Sequence, residues 1–492
     1  MYLPCNRRDF LKTLGLGAAA LAGSGALFSC SRYSADKKLN YIIINVDDLG
    51  WTDVACFGSR YYETPNIDRL AAQGVKFTNA YAACAVCSPT RASIMTGRYP
   101  ARIGVTDWIH HLDAEAVKAL ESGKNPVEYI GERNRQLLCP PNPYWMELDE
   151  ITIAEVLKSA GYVTCHVGKW HLGFESWFPD MQGFEINIGG TEIGQPPTYF
   201  DPYYLSELRP NIATLPPRRE GEYLTDRESD EAVNFIRNHA SRHFFLNMCH
   251  YAVHTPLQAK RELYDKYKNK KPTNHKNPTY AAMIESVDQA VGRILDILDE
   301  LKLSDRTVII FTSDNGGLLE FSTDNAPLRA GKGYPYEGGI RVPLIIRWTG
   351  VVDAGTVCSL PVTSVDYFPT ICESAGLSLP VDRAVDGESI IPLLKQTGSL
   401  KRDAIFWHFP HYRGRDVVPY SIIRKGGWKL IKQYESKTFE LFNLEDDLSE
   451  KEDLSGRMPE KVKELDAELT AWLKETGAKL PRKNPEYNPG AK

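Results

Sequence analysis

The chain lacks any excess of positive charge: its 492 residues carry 58 lysines and arginines against 63 aspartates and glutamates, a net charge of −5 with a pI near 6.2. That balance argues against a nucleic-acid binder, for which a basic domain is expected, so any anion site has to be built locally. Long apolar runs are missing as well. The one stretch of that kind, Leu14 to Phe28, is too short to span a bilayer comfortably, and nothing else approaches membrane length. What remains, 42% hydrophobic and 25% charged residues, is ordinary for a soluble globular protein. A length of 492 exceeds what one core usually fills, so two domains are expected.

Four apolar segments of strand length lead into polar residues. Leu39 to Val46 is β-branched and nearly continuous, as a strand buried on both faces is, and it runs into Asp47-Asp48. Tyr162 to Val167 runs into Gly168-Lys169-Trp170-His171-Leu172-Gly173, Phe244 to Met248 precedes His254-Thr255-Pro256, and Thr307 to Thr312 ends in Ser313-Asp314-Asn315. Helix signatures lie between them. Thr152-Ile153-Ala154-Glu155 is a capping box, and Ile284, Val287, Val291, Ile294, Leu295 and Leu298 form an apolar stripe within Tyr280 to Leu301 that is core rather than a cofactor box. The alternation predicts an α/β fold with a large, mostly parallel sheet sandwiched by helices. Ligands bind beyond the carboxyl ends of such strands. The four ends deliver Asp47 and Asp48, Lys169 and His171, His254, and Asp314 and Asn315 to one place, and carboxylates buried there need a counter-charge.

Asp47, Asp48, Asp314 and Asn315 offer oxygen only, with neither His nor Cys, so a hard cation fits better than zinc. The stretch Cys87-Ser88-Pro89-Thr90-Arg91 has a different chemistry. Phe77 to Ala80 reads as a short strand, a small-residue loop follows, and Pro89 sits where a helix can begin. Cys87 is then at a helix N-terminus, whose N–H groups favour a thiolate or an anion, with the Arg91 guanidinium one turn on. Residues 99–144, holding Trp108, His110 and His111, are irregular and expected to wall a pocket; 174–225, holding Trp177, read as a loop layer near its mouth. Beyond Gly398 short alternating strands and an amphipathic segment from Pro459 to Thr476 predict a small C-terminal antiparallel sheet with one covering helix; Trp407 to Tyr412 at its entrance, His408 and His411 among them, either reach the pocket or pack as structural aromatics. The expected division is 1–38 signal segment and linker, 39–398 catalytic domain, 399–480 C-terminal subdomain and 481–492 tail.

Cys87 to Gly97 resembles the signature of the type I sulfatases, C-x-P-[ST]-R followed by T-G, matched by Cys87, Pro89, Thr90, Arg91, Thr96 and Gly97. Gly168 to Gly173, His254-Thr255-Pro256, Gly331-Lys332-Gly333 and Tyr336 to Pro343 resemble further family segments in the expected order, from about Leu39 to about Lys474. The resemblance implies an alkaline-phosphatase-like catalytic domain that hydrolyses sulfate monoesters, with a sulfated carbohydrate (a glycosaminoglycan, mucin or algal glycan) as substrate. It implies that a separate formylglycine-generating, or sulfatase-maturating, enzyme oxidises Cys87 to formylglycine, whose hydrate is the nucleophile. It also implies one calcium ion (Ca2+) held by Asp47, Asp48, Asp314, Asn315 and the modified Cys87. Arg91 and Lys169 would hold the modified residue and the sulfate oxygens, His171 would act as base when sulfate is expelled, and His254 with Lys332 would serve the leaving oxygen. A pocket roofed by His110, His111, Trp177, His408 and His411 would suit a sugar end. Two other readings stay open: a phosphate or phosphonate monoester hydrolase of the same superfamily, and a non-catalytic glycan-binding lipoprotein with Cys87 unmodified.

Asn6-Arg7-Arg8-Asp9-Phe10-Leu11-Lys12 resembles a twin-arginine export motif, and Leu27-Phe28-Ser29-Cys30 resembles a bacterial lipobox in which Cys30 is lipidated. The expectation is an exported protein of the bacterial periplasm, outer membrane or cell surface that meets the membrane only through its signal or lipid anchor. Of ten cysteines, removal of Cys5, acylation of Cys30 and oxidation of Cys87 leave seven, which cannot all pair, so buried thiols are expected.

Overall fold

Alternate side chains of the first core strand, Asn40–Val46, enter two different cores: Ile42, Ile44 and Val46 one, Tyr41 and Ile43 the other. Side chains alternate between the faces of a strand, so one that is apolar throughout is stable only where both faces are covered. The structure, a computed structural model, describes residues 38–110, 114–206, 211–320 and 322–491. The export motif, Cys5, Cys30 and His111 lie outside the described residues.

In chain order the strands are β1 (Asn40–Val46), β2 (Val75–Phe77), β3 (Ala80–Tyr81), β4 (Leu137–Leu138), β5 (Val163–Gly168), β6 (Ile186–Ile188), β7 (Phe244–His250), β8 (Thr307–Ser313), β9 (Leu344–Arg347), β10 (Thr356–Cys358), β11 (Val362–Thr363), β12 (Ala404–Phe409), β13 (Tyr420–Lys425), β14 (Trp428–Gln433), β15 (Phe439–Asn443) and β16 (Arg482–Lys483). Eight of them make one sheet in the order β10-β2-β9-β8-β1-β7-β5-β6. Its pairings are parallel except those of β9, which runs antiparallel to β2 and β8. Helices Pro65–Gln73, Leu224–Asn238 and Pro278–Glu300 cover one face; Cys87–Thr96, Ile153–Ser159 and Tyr367–Ser374 cover the other. This is the helix-sandwiched, mostly parallel sheet that the alternation predicts. Register does the positioning. Val46 is level with Ser313 and His250, and Gly168 with Cys249, so Asp47, Asp314 and Lys169 leave the sheet within one residue step of each other.

Strands β12 to β15 form a separate antiparallel sheet with helix Pro459–Glu475 on one side. The other side packs on Tyr81, Val86 and Ile340, beside the Cys87 helix, and Trp407 Nε1 donates to the Ala82 carbonyl at 2.7 Å. A fully buried charge cluster ties the two parts together: Lys429 Nζ lies 3.0 Å from Glu337 and 2.7 Å from Glu450. Removing that cation takes the counter-charge from buried Glu450 and leaves Glu337 with Arg341 at 3.3 Å and the Tyr81 hydroxyl. Lys429→Ala is therefore expected to cost about 3–5 kcal/mol, read as a lowered denaturation midpoint; an unchanged midpoint would show the cluster to be energetically idle.

The structure departs from the sequence expectation in several places; the strand read over Phe77 to Ala80 is two, β2 and β3, parted by a turn at Thr78-Asn79. Residues Ala114–Ser122, inside the stretch expected to be irregular, form a helix. The stretch read as a loop layer to residue 225 already turns helical at Leu224, and the first turns of that helix bury polar groups, Glu228 pairing with His250 at 2.6 Å. The residues after 480, expected to be a tail, are built in: β16 pairs with β4, and Asn484 Nδ2 donates to the carbonyls of Glu132 and Arg135, contacts that no periodicity announces. All eight cysteines among the described residues are free, six of them buried, and no helix there is long and apolar enough to cross a membrane.

Candidate active site

The end of β1 places Asp47 and Asp48 in the interior, both buried. Asp47 Oδ2 accepts from Lys169 Nζ at 2.6 Å. Asp48 Oδ1 lies 2.5 Å from Lys332 Nζ and accepts from Asn315 Nδ2 at 2.8 Å. Asp314, just past β8, accepts the Asp48 N–H at 3.3 Å on one oxygen and Arg91 Nε at 2.8 Å on the other. Asp48 has a left-handed backbone, φ 61°, a conformation costing a non-glycine residue roughly 1–3 kcal/mol unless its surroundings hold it. Here the Tyr280 hydroxyl holds it, 3.1 Å from the Asp48 carbonyl and 2.8 Å from the Asp53 carboxylate. No motif pointed to Tyr280 or Asp53; the sole sequence signal is a further aspartate five residues past Asp48 in the same turn.

The helix starts at Cys87 itself rather than at Pro89. Gly97 ends it with φ 68°, and a Cβ there would come within 2.8 Å of Phe368, which is why a glycine follows Thr96. Cys87 Sγ lies 3.4 Å from His171 Nδ1, and His171 Nε2 lies 2.9 Å from the Ile109 carbonyl. A carbonyl only accepts, so Nε2 carries the hydrogen and Nδ1 faces the sulfur as acceptor. His171 too is left-handed, φ 59°. Arg91 reaches back with Nη1 on the Lys169 carbonyl at 2.8 Å.

Three buried carboxylates thus face three buried cations. Burial, with Asp47 adding to it, pushes Asp314 up to about 6 despite Arg91. Burial would do the same to Asp48, but Lys332 and His254 outweigh it and hold that carboxyl below its ordinary range. Lys332 keeps its proton more firmly than usual, burial being overcome by Asp48 and Cys87. His254 is pushed down to about 3 by burial and Lys332; its Nδ1 donates to the Thr255 carbonyl at 2.9 Å, and Nε2 faces Asp48 Oδ2 at 3.6 Å.

The residues fit a hard cation. Asp47 Oδ1, Asp48 Oδ2 and Asn315 Oδ1 are buried and accept no hydrogen bond, a costly state for oxygen that a calcium-sized ion would relieve. Ligand atoms of Asp47, Asp48 and His254 fall within 4.8 Å of one another, so a nitrogen borders the set that the sequence presented as oxygen only. A dication added to balanced charges would leave the site net positive, as an anionic ester requires.

Trp108 stacks on His110 at 3.7 Å and lies 6.5 Å from the His171 ring, so this stretch does wall the site. His411 joins it through Thr106 Oγ1 at 2.8 Å. His408, expected to roof the same pocket, instead takes a packing role, and Trp177 is half-buried beside Gly173. Trp177 stacks on Trp145 at 4.1 Å, and both ring nitrogens of the buried His408 are taken, by Ser421 Oγ at 2.7 Å and the Lys479 carbonyl at 3.1 Å. Sequence cannot separate such cases, because an aromatic at a loop entrance looks the same whichever way it turns. Two residues it passed over are Asp107, which burial lifts to about 7 against the pull of Arg413, and Arg413 itself. The latter lies against Gly333, where a Cβ would come within 2.5 Å of its Cδ, beside Lys332.

Fold and site together define a class: a hydrolase of anionic esters built on the alkaline-phosphatase-like sandwich. Residues 39–377 match the family model for sulfatases, and 331–479 that for the C-terminal part of N-sulphoglucosamine sulphohydrolase. The chain is 33% identical to a sulfatase of Formosa agariphila over 90% of both chains. It is 34% identical to N-acetylgalactosamine-6-sulfatase of Homo sapiens over 78% of this chain and 70% of that one. The crystal structure of Ps i-CgsB is similar with a TM-score of 0.75 at 32% identity, covering 89% of this chain and 94% of that one. The chain belongs to the sulfatase family and is a sulfuric ester hydrolase.

Proposed function

We propose that the protein removes sulfate from sulfated carbohydrates, with Cys87 matured to formylglycine and one calcium ion in the carboxylate cluster. The observation that carries this reading is Cys87 Sγ, 3.4 Å from His171 Nδ1 at a helix N-terminus, backed by the undonated oxygens of Asp47, Asp48 and Asn315. A carbohydrate is favoured by two relatives: one is named for N-acetylgalactosamine-6-sulfate, and Ps i-CgsB has been crystallised with k-i-k-neocarrahexaose.

Asp47, Asp48, Asp314 and Asn315 would hold the ion. When bound, calcium polarises the sulfate oxygens and hydrated formylglycine supplies the attacking hydroxyl. Arg91 and Lys169 donate charge-assisted hydrogen bonds to the modified side chain and to sulfate. His171 Nδ1 accepts a proton at the position of Cys87 Sγ, its tautomer fixed by the Ile109 carbonyl. Lys332 and His254 Nε2 border Asp48 and would serve the leaving oxygen.

The test is a screen for inorganic sulfate and phosphate released by the matured protein from sulfated sugars, their phosphorylated analogues and aryl sulfates. Sulfate from a sugar, with little phosphate from its analogue, supports the reading; the reverse preference replaces it. Chelation with EGTA is expected to lower activity and the thermal midpoint together, because an ion bound only by the folded state stabilises it. Activity lost with no shift in unfolding would take the ion out of the carboxylate cluster.

A further inference from the structure

We propose that a basic rim formed by residues 124–136, 411–417 and 479–491 holds the neighbouring sulfated residues of an oligomeric or polymeric substrate while one sulfate occupies the Cys87 site. The proposal rests on the sulfatase reading and extends it from the reacting ester to the chain that carries it.

Three segments far apart in sequence are built into one layer. Strand β16 pairs with β4, and the Asn488 N–H donates to the Arg133 carbonyl at 2.7 Å. Arg135 Nη2 donates to the Gly414 carbonyl at 2.5 Å, and its guanidinium sits 4.5 Å over the Tyr412 ring. The layer continues into the wall of the active site. Asn142 Oδ1 accepts the Thr106 and Asp107 N–H groups at 3.0 and 2.9 Å, Thr106 meets His411, and Arg413 lies against Gly333 beside Lys332. Arg413 neighbours both Asp107 and Lys332, so the proposed path of a substrate from Cys87 to this layer runs past these residues.

The charge of the layer is opposite to that of the protein. Across the three segments lysines and arginines outnumber aspartates and glutamates two to one, while the whole chain is net negative. Arg133, Arg415, Arg482 and Lys483 are exposed. Arg133 is paired with Glu486 at 3.4 Å and Arg482 lies 3.9 Å over the Tyr129 ring, whereas Arg415 and Lys483 have no ion-pair or side-chain hydrogen-bond partner among the described residues. Unpaired exposed cations add little to the stability of a fold, but grouped beside a cleft they raise the local concentration of a polyanion and lower that of neutral chains. Repeating sulfates are such a polyanion, and the attraction should be screened by salt.

The experiment uses the matured full chain and Arg415→Glu/Lys483→Glu, two changes that remove no contact within the fold. Kinetics on k-i-k-neocarrahexaose and on the aryl ester 4-nitrocatechol sulfate are measured at low and physiological salt, alongside binding of dextran sulfate, dextran and phosphatidylglycerol vesicles. The variant is expected to raise KM for the oligosaccharide, and Kd for dextran sulfate, about tenfold at low salt. The salt dependence should flatten, with aryl sulfate turnover unchanged. Unchanged dextran sulfate binding, equal binding of dextran, a preference for vesicles, or a parallel fall on the aryl ester would overturn the rim. No sulfate release from any substrate would overturn the sulfatase reading alone, since dextran sulfate binding still decides the rim.

Discussion

Cys87→Ala is expected to abolish sulfate release, lowering kcat by on the order of 10⁴ or more, with the fold left intact. The two halves of this expectation have separate grounds. Cys87 is the first residue of its helix, and its side chain makes one polar contact, with His171. Alanine keeps the helix and deletes one sulfur atom, so the loss of packing should stay below about 2 kcal/mol. The catalytic loss is large because nothing else in the cluster can replace that atom: the surrounding carboxylates are engaged with Lys169, Lys332 and Arg91. Sulfate release and the thermal midpoint are measured together, with the mass of the peptide holding residue 87. Turnover by the variant would remove Cys87 as nucleophile, and turnover by wild type with an unconverted thiol would remove the formylglycine.

The central sheet was legible because burial on both faces forces an unbroken apolar run, and the residue that ends such a run stands out. Asp47, Asp314 and Lys169 could each be read from where a run stops, and the register brings them level. Their supports were not legible. Tyr280 sits at the start of a helix whose stripe explains it as core, yet its hydroxyl is what reaches Asp48 and Asp53. Sequence periodicity reports which face a residue occupies and is silent on the polar tip of a side chain lying mostly in the core. The end of its strand brings His254 to the same place, but that its ring nitrogen comes within 4.8 Å of the Asp47 and Asp48 oxygens, bordering a ligand set that reads as oxygen only, is a fact of three dimensions. The rim was less legible still. Arg135, Arg413 and Lys483 lie in segments without period, held by carbonyls and ring faces that any sequence offers.

His254→Ala is expected to lower kcat on sugar sulfates by about 10²–10⁴ while nearly sparing activated aryl sulfates. The contrast follows from the leaving group. A sugar alkoxide is a strong base and cannot depart unprotonated, whereas a nitrophenolate-type ion can. His254 is placed for this at the mouth of the cluster, slightly exposed, with Nδ1–H spent on the Thr255 carbonyl and Nε2 turned toward Asp48. In the substrate-free site it is neutral, because burial and Lys332 push it down to about 3. A shift downward means that the proton is absent through the working range of pH and must be gained with the substrate. An anionic ester in the cleft favours that gain, and charge developing on the leaving oxygen favours it further. Lys332, by contrast, is already charged and close to Asp48, so its removal should weaken every substrate by disturbing the carboxylate itself. The comparison is therefore kcat on one sugar sulfate and one nitroaryl sulfate for wild type, His254→Ala and Lys332→Ala. Loss confined to the sugar ester in the first variant gives His254 the proton; equal loss on both esters there, with a selective loss in Lys332→Ala, transfers that role to the lysine.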